Sequence, residues 1–201
     1  MTIPALTSGY RPMKIQRHFL VGIAISLSFL SIANVEAKDP ETCLINQTGI
    51  GPIHLGMTLN EARTALPNAD FQRATDGDGA ALISVQLGKE DLMTLYANED
   101  DADAPIDWTK KIDFIETFNS LCKTQNGIYP GLLVKEVEKK LGKTKEIIQS
   151  EIESREFITF RNQPRHFIFR INYTGIFPEG SRKTKKFKMD SKIFSIAVSP
   201  R

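Results

Sequence analysis

From Lys38 onward the sequence holds two histidines, His54 and His166, and two cysteines, Cys43 and Cys122. Chemistry would have to be built from these four, together with one acidic and one basic run. His54 lies between Ile53 and Leu55 just ahead of Gly56, and His166 opens an alternating apolar run. No serine or cysteine sits in a nucleophile-elbow setting, and neither an H-E-x-x-H pair nor a glycine-rich phosphate loop occurs. A triad assembled from distant residues leaves no trace in one sequence. The expectation is a protein that is not an enzyme; a hydrolase would lose turnover on changing His54 or His166.

The acidic residues suggest a hard cation only at first sight. Asp76-Gly77-Asp78-Gly79 begins like a calcium-binding loop, but the third ligand position is empty and Leu87 stands where a bidentate glutamate belongs. The segment therefore reads as a hairpin turn. Glu99, Asp100, Asp101, Asp103 and Asp107 read as a solvated loop. No metal and no cofactor is expected.

The most concentrated charge is basic: Arg182, Lys183, Lys185, Lys186 and Lys188, with Phe187 inside the run. Arg161, Arg165 and Arg170 lie on neighbouring predicted strands and extend it. Basic residues with an interleaved aromatic suit nucleic acid, but an exported protein meets anionic head groups, cell-wall polymers or acidic proteins instead. The candidate binding patch is thus Arg165, Arg170, Arg182, Lys183, Lys185, Lys186 and Lys188. Its expected partners are another envelope protein or an anionic surface, and not nucleic acid.

Export is read from the first 37 residues. Arg11, Lys14, Arg17 and His18 precede a 15-residue apolar run, Phe19 to Ala33, and Val35-Glu36-Ala37 offers small residues for cleavage after Ala37. The run is short for a bilayer span of roughly 20 residues. Met13 is an alternative start, and Cys43 has no lipobox before it. Periplasmic or secreted location follows as an expectation. In an oxidising compartment Cys43 and Cys122 are expected to form a disulfide, and closing so long a loop contributes about 4 kcal/mol in the chain-entropy view. A redox pair would want C-x-x-C spacing, which is absent.

Charge divides sharply along the chain. Residues 38 to 119 carry 6 basic against 15 acidic side chains, and residues 120 to 201 carry 17 against 8. The halves are therefore −9 and +9 and cancel. Two readings remain open: the halves attract each other across an interface, or the second half offers a basic surface to an anionic partner.

The elements that must position these residues repeat. Ile53, Gly56, Glu61 and Leu66 recur as Ile128, Gly131, Glu136 and Leu141, each 75 positions later, and Lys111-Ile112-x-x-Ile115 recurs as Lys192-Ile193-x-x-Ile196. Thr58 and Glu61 make a capping box opening a short helix with Leu59, Ala62 and Leu66 on one face. Ala81 to Leu87, Leu92 to Tyr96 and Lys110 to Asn119 read as strands, the last with Ile112 and Phe114 on one face. The second half repeats the order with Leu133 in place of the capping threonine. Its expected strands are 146 to 154, 155 to 161, 166 to 173 and 192 to 199, with a loop from Gly175 to Asp190. The predicted fold is α+β, a tandem repeat of a short helix packed on an antiparallel three- or four-stranded sheet. Its units are 38 to 119 and 120 to 201, following the signal peptide of 1 to 37.

Gly56-Met57-Thr58-x-x-Glu61 running to Leu66, and its echo from Gly131 through Glu136-Val137 to Leu141-Gly142, resemble the repeat unit of small bacterial envelope proteins. These are the SmpA/OmlA outer-membrane assembly family and the two-copy β-lactamase inhibitor proteins. The resemblance covers about fifteen residues per copy and implies a helix on an antiparallel sheet whose surface binds another protein. Those families have two helices per unit where one is read here, and no binding residue carries over. The resulting expectation is a non-catalytic protein- or ligand-binding module of the envelope, or alternatively an inhibitor of an envelope hydrolase.

Overall fold

A computed structural model describes residues 43–99, 101–151 and 154–200. The expected signal peptide lies outside the described residues. In chain order the elements are β1 (Leu44–Asn46), β2 (Gly49–Ile50), β3 (Ile53–His54), α1 (Leu59–Ala65), β4 (Ala69–Thr75), β5 (Ala81–Leu87), β6 (Glu90–Tyr96), β7 (Phe114–Thr117) and β8 (Lys123–Thr124). Then follow α2 (Val134–Leu141), β9 (Thr144–Gln149), β10 (Glu156–Phe160), β11 (Phe167–Ile171), β12 (Lys183–Thr184) and β13 (Ile193–Val198).

The strands form two sheets. One has nine strands in the order β12-β9-β10-β11-β13-β7-β6-β5-β4, every pairing antiparallel, and the other has four in the order β3-β2-β1-β8. This overturns the expected α+β tandem repeat of a helix on a separate small sheet. Among the described residues the chain is mostly β, with helices of only seven and eight residues. The physical reason lies at one joint. A four-stranded meander ending at β7 would leave a row of unpaired backbone donors and acceptors, as would one ending at β13. Pairing Ile115 with Val198, Glu116 with Ala197 and Thr117 with Ile196 satisfies both edges and fuses the strands into one sheet.

One face of that sheet builds the core. Ile83, Val85, Leu95, Ile115, Ile196 and Phe169 are fully buried there, with Leu59 and Ala62 of α1 and Val134 and Val137 of α2 in the same cluster. The small sheet adds Ile45, Ile50 and Ile53. Cys43 and Cys122 immediately precede β1 and β8, which run parallel, and form a disulfide with Cα atoms 4.4 Å apart.

Local signals behave unevenly. Thr58 caps α1 as its sequence demands: its Oγ1 accepts the Glu61 N–H at 3.2 Å, while the Glu61 carboxylate accepts the Thr58 N–H at 2.7 Å. β4 was not expected, because Ala69, Phe71 and Arg73 make a weak apolar alternation. β7 is shorter than the predicted strand. Ile112 and Ile115 are both buried, whereas Phe114 turns to the opposite face. The loop expected over 175 to 190 contains β12, which borders β9 through Lys183 and Thr184.

Candidate binding groove

The sheet face opposite the core is built from the alternate residues: Thr94 and Tyr96 on β6, Phe114 and Glu116 on β7, Ser195 on β13, Ile168 and Arg170 on β11, and Phe157 on β10. Covering this face would require apolar residues throughout. Instead it carries ion pairs and aromatics.

At its centre, beside the β7–β13 joint, Glu116 accepts a hydrogen bond from Arg170 Nη1 at 2.9 Å and another from Ser195 Oγ. The Glu116 and Arg170 side chains are only 4% and 16% exposed, so solvent screens this pair weakly. The Arg170 guanidinium lies 5.4 Å from the centre of the Phe194 ring, and Phe194 meets Phe118 edge-on at 5.2 Å. Both phenylalanines keep about two-fifths of their surface exposed. Arg170 Nε is buried with no hydrogen-bond partner among the described residues.

A second pair shows how the sheet is shaped. Asp76 sits in the turn between β4 and β5, and Arg155 leads into β10; their charged atoms are 3.6 Å apart. Five strand steps separate β5 from β10, a span of roughly 24 Å if the sheet were flat. Twist accumulated over the strands curls the sheet until the two side chains meet across its open face. Tyr96 Oη adds a 3.4 Å hydrogen bond to Asp76. The result is a curled groove crossed by a charged strap. A cavity of about 640 Å³ lies on one side, and one of about 360 Å³, floored by Phe118 and Phe194, adjoins it. Asp76, Tyr96, Glu116, Arg155 and Arg170 border both.

Electrostatics fix the strap's state. Burial opposes ionisation of Asp76, but the Ala80 and Asp78 N–H groups and the Arg155 guanidinium outweigh it and hold the carboxyl below its ordinary range. Burial raises the Tyr96 phenol, and the nearby Asp76 and Glu116 charges push it further, so Tyr96 remains a neutral donor. Burial also raises Asp113, on the groove wall.

The sequence-derived candidates are scattered by the fold. Arg170 lies in the groove, paired with Glu116. Arg165 is exposed in the turn between β10 and β11. Lys183 belongs to edge strand β12 with its ammonium 3.7 Å from Glu146, and neighbouring Arg182 donates to the Ser150 carbonyl at 3.2 Å. Lys185, Lys186 and Lys188 follow on the exposed loop. The edge β12 is three strand steps from β11, so Arg170 and the lysines do not form one patch. His54 lies on β3 with Nδ1 buried and without a hydrogen-bond partner among the described residues, and His166 Nδ1 is 3.0 Å from the Ser199 carbonyl; neither borders the groove. The acidic run holds Arg73: Glu99 accepts from its two terminal nitrogens at 2.6 and 2.7 Å. Asp76 is used as a turn acceptor for the Asp78 and Ala80 N–H groups.

Sequence reading passed over Asp76 as a site residue, and Tyr96, Glu116, Arg155, Phe118 and Phe194 altogether. They are separated along the chain and meet only through the curl. One signal was available: Phe114 and Glu116 alternate along β7 and Phe118 follows directly after it at the same spacing, which places a carboxylate and two aromatics two residues apart.

Among the described residues no helix is long and apolar enough to cross a membrane. The disulfide fits a location outside the cytoplasm. No protein-family pattern matches the chain, and no curated protein matches it. Among solved structures the chain is similar to the uncharacterized protein yfeY from Escherichia coli, with a TM-score of 0.50 and 14% identity over 77% of this chain and 97% of that one. At that identity the likeness extends to the fold alone.

Proposed function

We propose that this chain is an exported, non-catalytic binding protein of the bacterial envelope whose curled sheet receives a segment of a partner protein in the groove. The observation that carries this reading is the composition of the open sheet face. A sheet face left uncovered needs only polar side chains, yet here a half-exposed Phe118–Phe194 pair lines a cavity of about 360 Å³ together with two ion pairs, which also border the adjoining concavity of about 640 Å³. Such a surface combines apolar anchors with charges that orient a ligand. The carboxylates at its centre are engaged: Glu116 with Arg170 and Ser195, Asp76 with Arg155 and Tyr96. What they present is paired charge, which suits recognition better than proton transfer or nucleophilic attack. The leader-like N-terminus and the disulfide support an extracytoplasmic setting, and the resemblance to envelope proteins that bind through a sheet points the same way.

Site-specific photocrosslinking in the cells that make the protein tests this. A benzophenone side chain at Phe118 or Phe194 should yield a discrete adduct, and the same group at Lys89, in the exposed turn between β5 and β6, should not. Reversing the strap with Arg155→Asp should weaken the groove adducts. No adduct from the groove, or the same adducts from Lys89, would refute the reading.

A further inference from the structure

The fold assembles a basic surface that neither of its two sequence segments displays alone. α2 and the second residue beyond its end contribute Lys135, Lys139 and Lys143, which surround Phe187 at a cavity of about 400 Å³. Phe187 belongs to the loop that carries Lys185, Lys186 and Lys188. That loop is held in place by backbone pairing: Ile176 N–H donates to the Lys186 carbonyl and Lys188 N–H to the Thr174 carbonyl, both at 2.9 Å. Lys135 Nζ reaches Met189 Sδ at 2.9 Å and closes the contact between helix and loop. Glu138 takes Lys143 at 3.0 Å and Glu136 takes Lys139 at 2.7 Å, both through lysine side chains that stand exposed, where solvent screens the pairs. Among the described residues no carboxylate lies within ion-pair distance of Lys185, Lys186 or Lys188.

Charge alone would describe a solvated face, but this one also exposes apolar side chains. Met189 is 75% exposed, Tyr173 59% and Ile176 48%. Met189 follows the lysines on their own segment, and Tyr173 and Ile176 lie on the segment paired with it. Tyr173 is held at φ +52°, a left-handed conformation uncommon for a bulky residue, and Lys188 Nζ approaches its carbonyl at 3.5 Å. Cations interspersed with exposed aliphatic and aromatic groups match an interface that has anionic head groups above an apolar interior. A polyanion or an acidic protein loop would meet the lysines but offer nothing to Met189 and Ile176.

We infer that this face docks the protein on an anionic phospholipid bilayer, with the six lysines at the phosphates and Met189, Ile176 and Tyr173 entering the interfacial layer. This does not rest on the groove reading. The lysine edge is three strand steps from Arg170, so a docked molecule keeps its groove free.

Co-sedimentation with vesicles tests the inference, using the disulfide-bonded protein purified from its cells with one N-terminus, verified by mass spectrometry, across all variants. Vesicles of phosphatidylglycerol and phosphatidylcholine should bind it at least tenfold more strongly than phosphatidylcholine alone, and 0.5 M salt should remove most of that preference. Lys185→Glu/Lys186→Glu and, separately, Lys139→Glu/Lys143→Glu should each lower binding about tenfold, because both segments make the surface. Ile176→Ser/Met189→Ser should lower binding while leaving its salt dependence intact. Thermal melts that match the parent protein establish that each variant is folded. The inference is overturned by equal binding to neutral vesicles, or by an undiminished Lys139→Glu/Lys143→Glu variant. Binding to soluble polyphosphate without binding to vesicles overturns it as well.

Discussion

The stretches Ile53 to Leu66 and Ile128 to Leu141 hold the chain in the same way and face the solvent differently. In the first, Gly56 N–H donates to the Ile112 carbonyl at 2.7 Å, and Leu59 N–H to the Lys110 carbonyl at 2.9 Å. In the second, Gly131 donates to Ile193 and Val134 to Ser191, at the same two distances. Single bridges, Thr58 to Lys111 and Leu133 to Lys192, complete each clamp. Outside the clamps the likeness ends. α1 has a full capping box and presents Asn60, Glu61 and Arg63, whereas α2 has no side-chain cap and presents Lys135, Lys139 and Lys140. The backbone clamp is therefore the part the fold needs, and the helix surfaces are free to diverge towards separate tasks.

That division yields graded expectations. Both clamps hang from the disulfide-bonded lead-ins, so Cys43→Ala/Cys122→Ala should have the largest effect, a loss of about 4 kcal/mol in denaturant unfolding. A change under 1 kcal/mol would mean the lead-ins are held by the small sheet alone. Next come the clamp glycines, at φ +85° and +98° with nothing near a prospective Cβ. Gly56→Ala and Gly131→Ala should each destabilise by about 1–2 kcal/mol through backbone strain alone. A large inequality between them would break the equivalence of the clamps.

The caps come third and should diverge. Thr58→Ala should cost about 1 kcal/mol, while Leu133→Thr, which supplies the hydroxyl three residues before Glu136, should gain up to about 1 kcal/mol. If both lower the melting temperature, α2 gains nothing from a cap. The smallest effect is electrostatic. The Thr58 backbone N–H, then its hydroxyl, hold the exposed Glu61 carboxyl below its ordinary range. Because the folded value is the lower one, this support is present above the unfolded value and is lost as pH falls through the folded one. An NMR titration should place the Glu61 midpoint below an ordinary glutamate, and Thr58→Ala should move it up.

The same contrast explains what could be read from sequence. The clamp motif, the capping box, β5 and the cysteine pairing are encoded by residues whose consequences are local or chemically distinctive. β4 was hidden because its alternation is broken by Arg73, whose partner Glu99 lies 26 residues away. The sheet's continuity was invisible for a different reason. Nothing in Ile115 to Thr117 or Ile196 to Val198 specifies that they pair with each other, since each could equally have ended its own meander. The groove follows from that joint and from the curl, so Arg170 was picked out for its charge while its partner Glu116 was passed over. The lysine run was conspicuous, but its complement on α2 is spread over a helix far earlier in the chain and meets it only in the fold.

The β7–β13 joint also orders events in time. Glu116 pairs with Thr94 of β6, 22 residues earlier (116 − 94), but its other neighbour, Ala197, lies 81 residues later (197 − 116). In between, β9, β10 and β11 can zip together through sequential contacts. Pairing across so long a separation carries a large loop-closure entropy and slows folding. Until it forms, β7 and β13 are bare edges with Phe118 and Phe194 beside them, the state most open to wrong partners. Closing the sheet thus carries a large loop-closure cost, removes both bare edges, and creates the groove in the same stroke.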